Sequence, residues 1–349
     1  SQVIIADNAS AIPAFEVARH APARLPRVFL RQEHNLGAAA RNLGVQAADR
    51  SVEWIVMLDD DSSPRSLDFL PRLADQPADV AAVMADIFLP RFATREAGGL
   101  PEVFIGCGVA LRREVFLELG GYDPSFDYYA EEYDLAARII LSGGRTVFDP
   151  RFKVAHFKDA TNRDLSRIIA RLVRNNGWVA QRYTPEDHRR AELRRLRRRY
   201  RAIAAKEHVT ADYASGLSEL RRTIRDRQRT PMHTAMFDRF TGLTHARDAI
   251  HAEHRVRPFR SASLVEEGKN CWAILAALDE IGVHLVHPDD ADAHVIGTLS
   301  PGPMLDAAER HSREHHRVIA PWKHAFRAGR PGEDGRCNRA YTPAATPAS

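Results

Sequence analysis

Trp54-Ile55-Val56-Met57-Leu58-Asp59-Asp60-Asp61 is the stretch whose reading decides the fold. Four apolar residues, Ile55 to Leu58, are too few for a core helix and are bounded by polar residues, which predicts a short buried strand. That strand runs directly into three carboxylates. Asp is depleted in strands, and adjacent like charges repel. At the carboxyl end of a buried parallel strand, where open α/β sheets bind ligands, such a cluster fits a cation. Alternation sends Asp59 and Asp61 to one side, where both can hold one divalent ion, and turns Asp60 away. Taken alone, the triplet reads more readily as a solvated acidic turn running into Ser62-Ser63-Pro64. The rest of the chain reverses that reading.

Upstream, Gln2 to Ala6 reads as a strand ending in the turn-forming Asp7-Asn8-Ala9-Ser10, followed by a helical stretch and a strand near Arg27 to Leu30. Asn35-Leu36-Gly37 and an Ala-rich run then start a helix. Gly37 allows close backbone approach, and the first N–H groups can face a phosphate, although close packing is the commoner use of such a start. Arg41, one turn in, can add a charge-assisted contact. Downstream, a helix over Leu67 to Leu73 and a strand over Val80 to Met84 continue an α/β rhythm with helices on both faces of a sheet.

Phe104 to Leu111 reads as an apolar strand broken by Gly106 and Gly108, and Arg112 to Leu119 as a short helix stopped by Gly120-Gly121. Glu131, Glu132 and Asp134 open the next helix, where the dipole favours negative charge. Either glutamate can equally act as a general base on a hydroxyl. Thr146 to Phe148 and Val154 to His156 predict two short strands, the second ending on a histidine that alone reads as structural.

The chain of 349 residues carries a formal charge of only +4, unevenly spread. Residues 1–160 hold 17 Lys+Arg against 23 Asp+Glu, and residues 182–229 hold 15 against 7, so an acidic half is followed by a basic helical one. No apolar run is long enough to span a bilayer and no leader is visible. Cys107, Cys271 and Cys337 form neither a disulfide framework nor a zinc spacing, which fits a reducing, cytoplasmic setting.

In order and spacing, Asp7-Asn8-Ala9-Ser10, Asn35-Leu36-Gly37 with Arg41-Asn42-Leu43-Gly44, Asp59-Asp60-Asp61, Gly106-Cys107-Gly108 with Arg112-Arg113, Gly120-Gly121-Tyr122-Asp123, Glu131-Glu132-Tyr133-Asp134-Leu135 and Val154-Ala155-His156 resemble a family 2 glycosyltransferase of the GT-A fold. The resemblance covers residues 1–185 and begins at what is similar to that family's second strand. It implies a metal-dependent, inverting transfer of a sugar from a nucleotide-diphosphate donor to an acceptor hydroxyl. By the same resemblance, Asp59, Asp61 and His156 would hold Mg²⁺ or Mn²⁺ on the donor diphosphate. Glu132, or its neighbour Glu131, would be the base. Asp7, Asn35, Gly37, Arg41, Asp59 and Asp60 would contact the donor, and the Gly106 to Gly108 loop the acceptor. The acceptor expected by family habit is a glycan or lipid-linked group in cell-surface polysaccharide synthesis. A sugar-phosphate nucleotidylyltransferase and an inactive sugar-nucleotide or glycan-binding module are the alternatives.

At the end of the glycosyltransferase-like region, Asp164 to Tyr183 predicts an amphipathic helix, and beyond it residues 186–258 a helical, Arg-rich connection. Arg189 to Arg201 holds eight Arg against Glu192, a solvated basic face that also suits peripheral contact with an anionic membrane. Without an aromatic stacking platform, nucleic acid is not expected. His233, His245, His251 and His254 lack a metal-binding spacing. Residues 259–327 read as a small Rossmann-like module for docking or small-ligand binding, with Gly268-Lys269 at its first strand-to-helix turn. Residues 328–349 read as a disordered tail.

Overall fold

The computed structural model describes residues 1–20, 25–158 and 165–322, so Asp164 and the 328–349 tail lie outside the described residues. In chain order the elements are β1 (Val3–Asp7), α1 (Ala14–Ala18), β2 (Arg27–Arg31), α2 (Ala40–Ala47), β3 (Trp54–Met57) and β4 (Ser62–Pro64). Next come α3 (Leu70–Ala74), β5 (Val80–Leu89), β6 (Thr94–Arg95), β7 (Val109–Arg112), α4 (Arg113–Glu118), α5 (Glu131–Leu141) and β8 (Arg145–His156). Five helices follow: α6 (Leu165–Tyr183), α7 (Glu186–Lys206), α8 (Thr210–Thr223), α9 (Thr234–Thr241) and α10 (Leu243–Val256). The last elements are β9 (Ser261–Val265), α11 (Cys271–Asp279), β10 (His284–Leu285), β11 (Ala293–Ile296), α12 (Pro301–His311) and β12 (Val318–Ile319). The fold is mixed α/β. The pairings β1–β2, β5–β8 and all three in the last sheet are parallel, whereas β3–β7, β5–β7, β5–β6 and β4–β8 are antiparallel.

The central sheet runs β3-β7-β5-β8-β4, with β6 on β5. β5 is apolar and buried almost throughout, as a strand covered on both faces must be. Its partner β8 is one twelve-residue strand, correcting the two short strands expected from sequence. The break in the pattern is a bulge: Ala85 pairs with Asp149, but Asp86 pairs with Lys153. Pro150, which has no N–H to give a ladder, lies in that bulge, and Phe152 beyond it stacks on Phe69 at 3.9 Å.

Two further expectations are corrected. β3 is half-buried and pairs antiparallel with β7, so the acidic triplet does not end a buried parallel strand. Residues 104–108 are a turn rather than strand, and β7 starts at Val109. The late start of β7 follows from close approach: a Cβ on Gly108 would come within 2.8 Å of Ile87, so the chain must pass β5 through glycine before it can pair.

Residues 259–322 form a four-stranded parallel sheet of order β10-β9-β11-β12, as the Rossmann-like pattern predicted. α11 starts at Cys271, after Asn270 in the left-handed region at φ 54°. One apolar core is continuous from Ala38 through Trp178 to Trp322. Arg95 on β6 reaches Asp306 on α12 at 2.7 Å, and Trp322 packs edge-on against Phe148.

Candidate active site

Antiparallel pairing builds the site. The turn Asp59–Asp61 joins β3 to β4, and Ser62 closes it by accepting from the Asp59 N–H at 2.7 Å. Because Met57 faces Val109, the turn lies beside Cys107; because Ser62 faces His156, Asp61 lies beside that histidine. The Phe157 N–H donates to the Asp61 carbonyl at 2.7 Å and locks the register. β6 returns along β5, with the Glu96 N–H donating to the Ile87 carbonyl, and brings the Glu96 carboxylate under His156.

The side chains then meet. His156 Nε2 lies 3.1 Å from Asp61 Oδ1, and its Nδ1 lies 3.0 Å from Glu96 Oε2 and 3.5 Å from Cys107 Sγ. Ligand-capable atoms of Asp59, Cys107 and His156 lie within 4.8 Å of one another. Arg41 pairs with Asp59, and its guanidinium also faces Glu132 across Gly106. Glu132 Oε1 accepts from the Gly106 N–H at 3.3 Å. Thus Asp59, Asp61, His156, Arg41 and Glu132 come together, as do the sequence-silent Glu96 and Lys158, whose Nζ lies 2.6 Å from Glu96. Asp60 is exposed on the outside of the turn.

Burial sets the protonation states. It pushes both Glu131 and Glu132 above the usual carboxylate range, Glu131 further because the charge of Glu132 adds to it. Asp59 is likewise raised by burial, against the pull of Arg41. The Glu96 hydrogen bond raises His156, and burial keeps the Cys107 thiol protonated. Glu131 is buried, and its Oε2 has no hydrogen-bond partner among the described residues, whereas Glu132 is half-buried. Of the two, Glu132 is the more exposed.

α5 is aimed by a strained loop. Asp127, Tyr129 and Ala130 all have positive φ (64°, 73° and 67°), a conformation that costs non-glycine residues free energy and must be held from outside. The fully buried Asn175 of α6 holds it, donating from Nδ2 to the carbonyls of Phe126, Tyr128 and Tyr129 at 2.7–2.9 Å. Asn175→Ala would remove a donor from all three carbonyls, leaving that of Phe126 its bond from Arg174 Nη2 at 3.1 Å, and is expected to lower stability by about 1–3 kcal/mol. Urea denaturation checks this, with loop cleavage by protease in the folded state as the second readout.

Asp7, Asn35 and Gly37 are placed elsewhere. The buried Asp7 carboxylate accepts from the Ser10 and Ala14 N–H groups (both 2.9 Å) and from Arg31 (2.7 Å), and these donors, the two N–H groups above all, hold it far below the usual range. With three internal donors it ties the β1–α1 turn. Asn35 Oδ1 accepts from Asn8 (2.9 Å) and from the Gly37 N–H (2.8 Å). The Leu36 N–H goes to Asn8 Oδ1 and that of Ala38 to the Asp127 carbonyl, so three successive N–H groups at this helix start are already satisfied. Gly37, at φ 62°, is needed because a Cβ would sit 2.2 Å from the Asp127 carbonyl oxygen.

The later helices add two features. Arg190, Arg194, Arg198 and Arg201 are exposed at helical spacing on α7, while Arg189 and Arg195 pair with Glu186 and Glu192. Lys269, in the first turn of the C-terminal sheet, lies 4.8 Å over the Tyr133 ring next to Glu132. Burial and Arg199 push it down to about 7. Among the described residues no helix is long and apolar enough to cross a membrane.

No protein family and no curated protein matches the chain. Solved structures are similar to it. GalNAc-T7 with UDP, GalNAc and Mn²⁺ is 16% identical, with a TM-score of 0.41 over 57% of this chain, which spans 46% of that one. The mannosyltransferase PcManGT from Pyrobaculum calidifontis, in complex with GDP-Man and Mn²⁺, is 19% identical, with a TM-score of 0.42 over 80% of this chain and 77% of its own. TarS 1-349 of S. aureus is 10% identical, with a TM-score of 0.46 over 74% of this chain and 78% of its own.

Proposed function

We propose that the chain is a GT-A glycosyltransferase that moves a sugar from a nucleotide-diphosphate donor to an acceptor hydroxyl with inversion. The observation that carries this reading is the convergence of Asp59, Asp61 and His156 with Arg41 and Glu132 in one cluster. Two carboxylates and an imidazole fit Mn²⁺ or Mg²⁺. When bound, such an ion acts as a Lewis acid on the leaving diphosphate. Arg41, now paired with Asp59, supplies a second positive charge for the diphosphate. Glu132 takes the proton of the acceptor hydroxyl, and Gly106 fixes its carboxylate. Direct attack from that side of the anomeric carbon inverts its configuration.

The acceptor in this reading is a glycan or lipid-linked hydroxyl, and the exposed arginine stripe of α7 supplies charge for an anionic membrane surface. UDP- and GDP-sugars with Mn²⁺ are the donor probes to try first. Donor hydrolysis or transfer should need the divalent ion, and Asp61→Ala should lower it at least about a hundredfold. Metal-independent turnover, or full activity in Asp61→Ala, contradicts the reading.

A further inference from the structure

His311 is the last residue of α12, and Ser312-Arg313-Glu314-His315 is the turn that follows it, a segment not read as a site from sequence. The Glu314 and His315 N–H groups both donate to the His311 carbonyl at 3.0 Å, which brings the two histidines and the glutamate together. One ligand-capable atom from each of His311, Glu314 and His315 lies within 4.8 Å of the others. His311 Nδ1 is 3.2 Å from Glu314 Oε2 but has no hydrogen-bond partner among the described residues. A donor pair around tetrahedral zinc is separated by about 3.3 Å, given zinc–ligand bonds of about 2.0–2.1 Å. The other nitrogen, Nε2, lies 3.3 Å from Glu266 Oε1. That is the carboxylate–imidazole pairing that orients a metal-bound histidine. His315 is held from the other side: its ring lies tilted against His294, centroids 3.7 Å apart, and His294 is fixed by Ser263 Oγ at 2.7 Å from its Nδ1. The Glu266-oriented imidazole and the second imidazole backed by His294 are more than helix capping requires.

We propose that His311, Glu314 and His315 bind a divalent transition-metal ion of the zinc class, at a place distinct from the Asp59–Asp61–His156 cluster. Two imidazoles and one carboxylate leave a fourth position for water, and bridging α12 to the segment before β12 would pin the last strand. The test uses the full chain, titrated with Zn²⁺ by calorimetry, together with the absorption spectrum of the Co²⁺ form. One equivalent should bind to the wild type and persist in His156→Gln. It should weaken at least about tenfold in Glu314→Gln and His315→Gln, and by roughly ten- to a hundredfold in Glu266→Gln. Glu314 is 55% exposed, so E314Q removes a ligand without disturbing packing, and its metal-free melting temperature should match the wild type. Unchanged zinc affinity in E314Q and H315Q, or loss of zinc binding in His156→Gln alone, overturns the proposal.

Discussion

Glu132→Gln is expected to lower turnover by about 10²–10⁴-fold while leaving nucleotide affinity within about twofold. Glutamine keeps the length of the arm and can still accept from the Gly106 N–H, so the loop survives. What it loses is the ability to take a proton. The pH profile separates this from a packing defect. Burial raises the Glu132 pKa, and the base works when ionised, so wild-type kcat/KM should climb with pH through a midpoint above the ordinary carboxylate value. In Glu132→Gln that climb should vanish. Glu131→Gln, in contrast, alters a buried group with no partner for its Oε2 and should keep the profile. Loss of the climb in Glu131→Gln and not in Glu132→Gln would exchange their roles.

The largest stability effect is expected at Asp134, two residues further along α5. Its fully buried carboxylate accepts from Arg138 Nε at 2.9 Å, Arg182 Nη1 at 2.6 Å and the Tyr183 hydroxyl at 2.7 Å. Removing one member of a buried ion network leaves charges uncompensated and typically costs about 3–5 kcal/mol. Asp134→Ala should lose about that much in urea denaturation, with an unchanged m-value if it stays two-state. Arg182 keeps Asp123 at 2.7 Å, which sets the loss towards the lower end. A loss under about 1 kcal/mol would show that the network is not coupled to folding.

Much of this architecture was legible in the chain. Periodicity placed β1, β2, β5, β9 and β11, and the Asp59–Asp61 triplet marked the turn on which the site is built. It could not show that β3 runs antiparallel to β7, since an apolar four-residue strand reads alike in either direction. That pairing is what sets Cys107 beside Asp59. Glu96 carries no local signal: it is one acid among many until β6 folds back along β5. Gly37 was ambiguous because close approach to a phosphate and to the Asp127 carbonyl need the same missing Cβ. The internal partners of Asp7, Ser10, Ala14 and Arg31, were not legible because they meet it only once β1 and β2 pair. Lys269 reaches Tyr133 from 136 positions away in sequence, and no local pattern reports such a contact.

The central claim is that the acidic turn after β3 and His156 hold a metal against a nucleotide diphosphate. Calorimetric titration of UDP and GDP into the wild type and Asp61→Ala, with and without Mn²⁺, tests it most directly. The account predicts wild-type binding to one of them at least about tenfold tighter with Mn²⁺, a gain of roughly 1.4 kcal/mol or more, and no such gain in Asp61→Ala. Equal affinity with and without the metal, or a gain that survives Asp61→Ala, would contradict it.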